Sequence, residues 1–388
     1  MELTRFLHSI IRRVSSHGML IAMYNLATRK VARQNEMISF SDAIREVYKG
    51  VYGRDVDRSG YALFVARLKA GTPLSSVIGD LINSPEFSKK RDVIPYRSEI
   101  RLPDLTKIYP EKYSRSETEF SVFAASSEED FALLESLMIK YRYYDSMEAY
   151  SPIIDLDKLV TASIVIGLNA KSAIELGCFT GPVISLLADR GLDVCGIDIS
   201  HLAFVLAYDN VRDKMLFGNL LDLKIDSSYD AFVAMDVLEH LNPFYVNLCI
   251  EKIRNLVNAN GFVLLNSPMF GNDDIFGTVF DVYFPEWQEA GDDSFWRHIH
   301  CDARGWPVHG HLTLASPKWW EKVFAQHGLI RDRATETEIQ GLLKPFFDRH
   351  GPARRALFVL RHANNVPDHG TLHKSLREAL LPVVGEMG

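Results

Sequence analysis

The sequence predicts an α/β protein. A mostly parallel sheet is covered by helices on both faces, and a small all-α domain precedes it. Three observations predict this. From Lys171 to Asn266, short apolar runs alternate with helical or turn stretches. Strands buried on both faces read as such continuous apolar runs. Two of the runs end in an acid, Glu175 and Asp198, and a glycine turn follows the first. The 388 residues are 47% hydrophobic and 24% charged, which excludes a mainly disordered, collagenous or disulfide-scaffold chain. No run of about 18 apolar residues occurs, so no transmembrane helix is expected.

The formal charge of −7 is unevenly placed. Residues 1–97 hold 16 Lys and Arg against 9 Asp and Glu, and the remaining 291 hold 27 against 41. A basic front and an acidic body imply modules with different partners. Cys178, Cys195, Cys249 and Cys301 form no C-x-x-C pair. Free thiols and a cytoplasmic location, at the inner face of a membrane if the front docks there, are expected.

Residues 1–37 open on an amphipathic pattern, with Leu3, Leu7, Ile10 and Val14 on one face and Arg5, Arg12 and Arg13 between. It reads either as an interfacial helix drawn to anionic lipid or as a helix docked on its neighbours. Residues 38–93 read as a compact helical module. Its turn, Asp55-x-Asp57-x-Ser59-Gly60, imitates an EF-hand start, but Ala66 stands where a bidentate Glu is needed, so calcium is not expected. Residues 94–125, marked by Pro95, Pro103 and Pro110, read as a linker. A helix is expected from Ser127 to Tyr144.

The alternating region then runs in order. Ser172–Glu175 is the first strand, Gly177–Gly181 the turn and Pro182–Arg190 a helix. Val194–Asp198 is the second strand, Met215–Gly218 the third, Ala231–Ala234 the fourth and Phe262–Asn266 the fifth. Ligands of such sheets bind beyond the carboxyl ends of the strands. Gly177 permits a tight bend, and Gly181 lets the helix start approach the strand. Asp198 stands where a carboxylate can grip a ribose diol. Phe179 replaces the middle glycine of a dinucleotide fingerprint, and Glu175 suits an ammonium better than a phosphate, so a dinucleotide is disfavoured.

These residues resemble the class I S-adenosylmethionine-dependent methyltransferases. Glu175-Leu176-Gly177-Cys178-Phe179-Thr180-Gly181 matches the family's first motif apart from Phe179. Gly196-Ile197-Asp198-Ile199-Ser200 matches the second, and Gly218-Asn219-Leu220-Leu221-Asp222 the third, with Asn219 where an Asp is usual. Tyr229 to His240 matches the fourth, and Asn258-Ala259-Asn260-Gly261-Phe262 the turn into the fifth strand. The resemblance implies a Rossmann-like seven-stranded sheet over 126–363, mostly parallel, ending in an antiparallel pair near Ile330–Ile339 and Ala356–Arg361. It implies S-adenosylmethionine as cofactor, held by Glu175, Gly177, Cys178, Phe179, Gly181, Asp198, Ile199, Asn219, Leu220 and Asp236. Residues 38–93 in turn resemble a bacterial helical module related to phycobilisome linker domains, through Tyr48, Gly53-Arg54, Asp57, Gly60, Gly71 and Ser84-Pro85-Glu86-Phe87. That resemblance implies docking beside glycan synthesis or export, so residues 1–93 are expected to dock to a membrane or a protein.

Residues 268–315 form a long connection rich in aromatics, including Phe270, Phe276, Phe280, Tyr283, Trp287, Trp296 and Trp306. It reads as an insert that either faces an acceptor such as a sugar or packs a small core of its own. It also carries His298, His300, His309 and His311. H-x-H pairs in an insert are usually hydrogen-bonding residues, so no metal is expected. His240, Asp236, His309 and His311 are the candidate catalytic residues, a histidine serving as base for a poorly acidic hydroxyl. A glycan or small-molecule acceptor is expected, and the reaction expected is O-methylation of a sugar hydroxyl in glycan or nucleotide-sugar metabolism. The acidic body and the absence of an N-P-P-[FY] motif after strand four disfavour nucleic acid. Two alternatives stand: methylation of a small metabolite, lipid or protein, and a non-catalytic scaffold with Phe179 and Asn219 as its departures. Residues 364–388 read as a tail.

Overall fold

The computed structural model describes residue 66 and residues 100–115, 121–146, 154–200, 203–204, 206–280, 295–351 and 353–384. The basic segment 1–37, the helical module 38–93 apart from Ala66, and Tyr283, Phe284 and Trp287 lie outside the described residues. The chain divides into two compact units, residues 1–99 with 151–155, and residues 100–150 with 156–388. The description below is of the second.

The stretch expected to be a linker is folded from residue 104 onward, in a correction to the 94–125 boundary. It holds a helical turn at Leu105–Ile108 and the strands β1 (Tyr113–Arg115) and β2 (Ser121–Ala124). Helix α1 (Glu128–Lys140) follows, and a separate turn at Tyr143–Ser146 takes up the end of the single helix expected to Tyr144. Asp130 explains the start of α1: its Oδ2 accepts the amides of Ser126 and Ser127, closing a capping box.

Helix α2 (Leu156–Gly167) leads into the main sheet, made of β3 (Ser172–Leu176), β4 (Asp193–Asp198), β5 (Met215–Phe217), β6 (Tyr229–Met235) and β7 (Val257–Asn266), with two later strands. Between β3 and β4 lies α3 (Pro182–Ala188), and between β6 and β7 lies α4 (Val246–Asn255). The insert contributes β8 (Asn272–Asp273), β9 (Gly277–Thr278) and β10 (His298–Cys301). Then come α5 (Pro317–Gln326), β11 (Leu329–Arg331), α6 (Arg333–Leu342), α7 (Lys344–His350), β12 (Leu357–His362) and α8 (His369–Val384).

The seven-stranded order is β11-β12-β7-β6-β3-β4-β5. The five strands β3 to β7 are parallel to their neighbours, and β12 runs antiparallel between β7 and β11. The chain builds β3, β4 and β5 to one side, then crosses back to lay β6 against β3 on the other. The order therefore reverses between β3 and β6, which is where such sheets bind ligands. Ile174 shows why the strand is apolar throughout: it sits between Cys195 and Phe232 and is fully buried.

Two expectations are corrected here. The expected strand Ile330–Ile339 is a strand only to Arg331. Asp332 then accepts the amide of Thr335 at 3.1 Å and starts α6. The expected tail 364–388 is largely α8, whose Leu372, Leu376 and Leu380 are buried. Leu376 packs so closely on Gly167 of α2 that a Cβ there would lie 2.8 Å from its side chain.

Two separate cores result. One underlies the main sheet and takes in Phe232, Val263, Trp320, Phe324 and Phe358. The other joins residues 105–143 to the insert through Phe123, Phe131, Leu134, Tyr143, Ile299 and Trp306. β10 pairs with β2, so the insert completes a three-stranded sheet with the former linker.

Candidate active site

The turn after β3 is built from left-handed residues. Gly177 (φ +70°), Phe179 (φ +45°) and Gly181 (φ +79°) all adopt positive φ. At Gly177 a Cβ would come 2.4 Å from Val237 Cγ2, so glycine alone lets this turn lie against the exit of β6. The amides of Gly177 and Cys178 both donate to Ile197 O, at 2.8 and 3.2 Å. Phe179 fills the position of a missing glycine by accepting strain instead. Its left-handed backbone delivers its amide to Asp198 Oδ2 at 2.7 Å, and Ser200 N donates to Oδ1 at 2.7 Å. Gly181 gives α3 its left-handed N-cap.

Glu175 lies beneath this turn, 5% exposed. Burial pushes its carboxyl up to about 8, and its Oε2 makes no hydrogen bond. Asn219, exposed after β5, uses Oδ1 to accept Leu221 N at 2.9 Å. That local turn already occupies one lone pair of the oxygen expected to meet the adenine. Leu220 and Cys178 are buried, and Ile199 is exposed at the end of β4.

The turn after β6 carries the second half of the site. Asp236 is left-handed (φ +56°), and its amide donates to Asn266 O at 2.9 Å. Its carboxylate is held by Arg354, which also reaches Asp157 at 3.1 Å and Asn266 Oδ1 at 3.2 Å. Those carboxylates hold the Arg354 guanidinium firmly protonated. Arg354 was not among the expected residues. A Gly-Pro-Ala-Arg-Arg turn just ahead of a strand was the available signal, but its acidic partners are far off in sequence.

Glu239 and His240 stand on the short 3-10 turn Leu238–His240. Glu239 is fully buried. Its Oε2 accepts Ser267 Oγ at 2.8 Å, and its Oε1 makes no hydrogen bond. Burial, and then the charge of Asp236, hold this carboxyl well above its ordinary value. The insert is fastened here, since Leu312 N and Thr313 N both donate to Glu239 O, at 2.7 and 2.9 Å. His240 Nδ1 lies 3.0 Å from Gly310 O. The rings of His240 and His311 are 5.2 Å apart, those of His309 and His311 5.6 Å. His311 Nε2 is 3.9 Å from Glu239 Oε1. Burial lowers both His240 and His311, His311 well below the usual imidazole value, so both are neutral at pH 7.

The structure thus brings together His240, His309 and His311 beside Asp236, whose carboxylate is held by Arg354. His298 and His300 lie on β10, in the three-stranded sheet. The aromatic insert mostly packs. Phe270 and Phe276 enter the main core, while Trp306 enters the second core, stacks on Tyr143 and donates to Pro103 O at 2.8 Å.

A reversal point between β3 and β6, a left-handed glycine turn and an acid at the end of β4 define an α/β domain with a ligand site at the carboxyl ends of its parallel strands. Residues 174–263 match the family model described as a methyltransferase domain. A ubiquinone biosynthesis O-methyltransferase of Nitrosomonas europaea is 26% identical over 143 residues, 33% of this chain and 58% of that protein. The corresponding protein of Pseudomonas fluorescens is 24% identical over 112 residues, 26% of this chain and 48% of its own. The chain thus spans about half the length of these curated relatives. Among solved structures, the CcbJ methyltransferase from Streptomyces caelestis is 17% identical, with a TM-score of 0.37 over 56% of this chain and 94% of that one. No comparison supports the likeness of residues 38–93 to a phycobilisome-linker module.

Proposed function

We propose that this chain is an S-adenosylmethionine-dependent O-methyltransferase for a small-molecule hydroxyl, with a sugar hydroxyl as the first acceptor class to test. The observation that carries the reading is the unpaired Glu175 Oε2 beneath the left-handed turn. A buried carboxylate oxygen without a partner is costly unless a ligand completes it. An amino-acid ammonium would do so, and the Asp198 carboxylate, fixed at the end of β4, would accept from the ribose hydroxyls. Glu175, Gly177, Cys178, Phe179 and Gly181 would hold the amino-acid end, Asp198 and Ile199 the ribose, and Asn219 and Leu220 the base.

When bound, the cofactor supplies an electrophilic methyl group on a sulfonium. This chain positions the acceptor and handles its proton. The neutral imidazoles of His240 and His311 suit proton acceptance from a hydroxyl. The ion pair with Arg354 fixes Asp236 on the turn after β6. The O-methyltransferase names of the relatives agree with a hydroxyl acceptor. The burial of Trp306, Phe270 and Phe276 removes much of the aromatic ground for a sugar in particular. Phe179 does not speak for a scaffold that has lost its chemistry, because its left-handed amide serves Asp198.

Among the described residues no helix is long and apolar enough to cross a membrane. Docking of the basic residues 1–93 to a membrane or an acidic partner, and a cytoplasmic location, belong to the same proposal. Titration calorimetry with S-adenosylmethionine tests the core of it. Binding that is lost in Glu175→Gln and Asp198→Ala is expected. A folded chain that takes up no cofactor would sink the enzyme reading. A screen of sugars and phenols with labelled cofactor then separates the acceptor classes.

A further inference from the structure

We propose that Glu239, His240 and His311 form a site for a first-row divalent cation of the zinc or manganese class, placed where the acceptor hydroxyl binds. Two of the ligands come from the turn after β6, and the third returns from the insert. One donor atom from each lies within 4.8 Å of the other two.

Each residue is prepared for the task in a different way. Glu239 is fully buried, and Ser267 holds its Oε2, which leaves Oε1 with no hydrogen bond and 3.9 Å from His311 Nε2. A carbonyl can only accept, so the 3.0 Å contact with Gly310 O places the proton of His240 on Nδ1. The lone pair of the neutral ring is then on Nε2. A histidine that gives its second N–H to a carbonyl is the usual partner of a ligating imidazole. His311 is fixed because its neighbours Leu312 and Thr313 are bonded to Glu239 O. The same two bonds tie the insert to the backbone of Glu239.

The donor set is two imidazole nitrogens and one carboxylate oxygen. Calcium and magnesium prefer oxygen ligands throughout, whereas zinc, manganese and iron take this mixture and leave positions open. Ligand bonds of about 2.0–2.2 Å require the three donors to draw closer by roughly 1–2 Å, within the reach of side-chain rotation. An ion there would relieve the unpaired Glu239 oxygen. Its role rests on the methyl-transfer reading: a bound hydroxyl would become more acidic, and the two histidines would serve as ligands rather than as bases. The site itself rests on the side chains alone.

The test uses the full chain, stripped with a chelator and titrated with Zn2+ and with Co2+ as a spectroscopic probe. One ion per chain is expected, with a visible Co2+ spectrum. Binding should weaken at least tenfold in His311→Ala and in His240→Ala. Glu239→Gln should act likewise, but it alters a buried group, so the two histidine variants decide, with thermal melts to show that they fold. No stoichiometric binding by the wild-type chain, or binding unchanged in His311→Ala, overturns the site. Cofactor binding is measured separately without metal. Metal uptake with no cofactor uptake leaves this inference standing while the methyl-transfer reading falls, and the reverse result does the opposite.

Discussion

Phe179 donates its backbone amide to Asp198 Oδ2 at 2.7 Å, from a left-handed conformation that few bulky residues adopt. The bond ties the turn after β3 to the end of β4. It also fixes the carboxylate. Asp198→Asn sets an amide group against two N–H donors and can satisfy only one of them. It should weaken S-adenosylmethionine roughly tenfold or more, in line with the loss of about 1.5–3 kcal/mol from a hydrogen bond to a charged group. Calorimetry reads the affinity directly, and an unchanged value would remove the ribose role.

Gly177 is needed for both its backbone and its size. Gly177→Ala meets a φ of +70° and Val237 Cγ2 at 2.4 Å. A loss of about 1–3 kcal/mol in urea unfolding is expected. The double variant with Val237→Ala should recover only the steric part. Full recovery would mean that the backbone carries no strain.

The pH dependence of cofactor binding should report Glu175. Its folded-state pKa of about 8 lies above its ordinary value, with burial as the main cause. The native state therefore holds a proton that the unfolded chain releases near 4.3, and stability falls as pH rises from about 4.3 toward 8. An ammonium ligand needs the ionised form, so affinity should rise with pH from about 6 to 8. Glu175→Gln should bind weakly and lose that slope. A wild-type affinity that is flat over this range would contradict the ammonium contact.

The main strands were legible because parallel strands buried on both faces must be apolar along their whole length, as at Ile174 and Phe232. The end of the sheet was misread for a local reason. The family resemblance implies a strand over Ile330 to Ile339, but Asp332 caps a helix inside it. Residues 104–124 looked like a linker because their strands are three or four residues long and β2 finds its outer partner only in β10, at residues 298–301. The site was half legible. The glycine turn and Asp198 are local in sequence and were found. Arg354 was not, since its partners Asp157 and Asp236 lie 197 and 118 residues away. The sequence singles out His309 and His311 among the histidines of the insert, and the folded chain places His311 with Glu239 and His240 while His298 and His300 lie on β10.

Arg354 offers a further test. Arg354→Met removes the cation shared by Asp236 and Asp157 and sets two carboxylates near each other without it. Both acids are partly exposed, so the stability loss should be modest, about 1–2 kcal/mol. Activity should fall further than stability, because Asp236 stands at the mouth of the site. Turnover that follows stability alone would make Arg354 a purely structural residue.

Trp306 tests whether the second core positions the histidines. It is fully buried, stacks on Tyr143 at 5.5 Å and donates to Pro103 O at 2.8 Å. Trp306→Ala should cost about 3–5 kcal/mol, as large-to-small changes of buried aromatics do. The main sheet has a separate core around Phe232 and Phe358, so the damage should stay local. Hydrogen exchange should accelerate in β2, α1 and residues 298–313, while β3, β6 and β7 keep their protection. S-adenosylmethionine affinity should hold, because the glycine turn and Asp198 belong to the main sheet. Methyl transfer should drop, because His311 reaches Glu239 only through the insert. If cofactor affinity and transfer fell together, the second core would be supporting the whole site rather than its acceptor half.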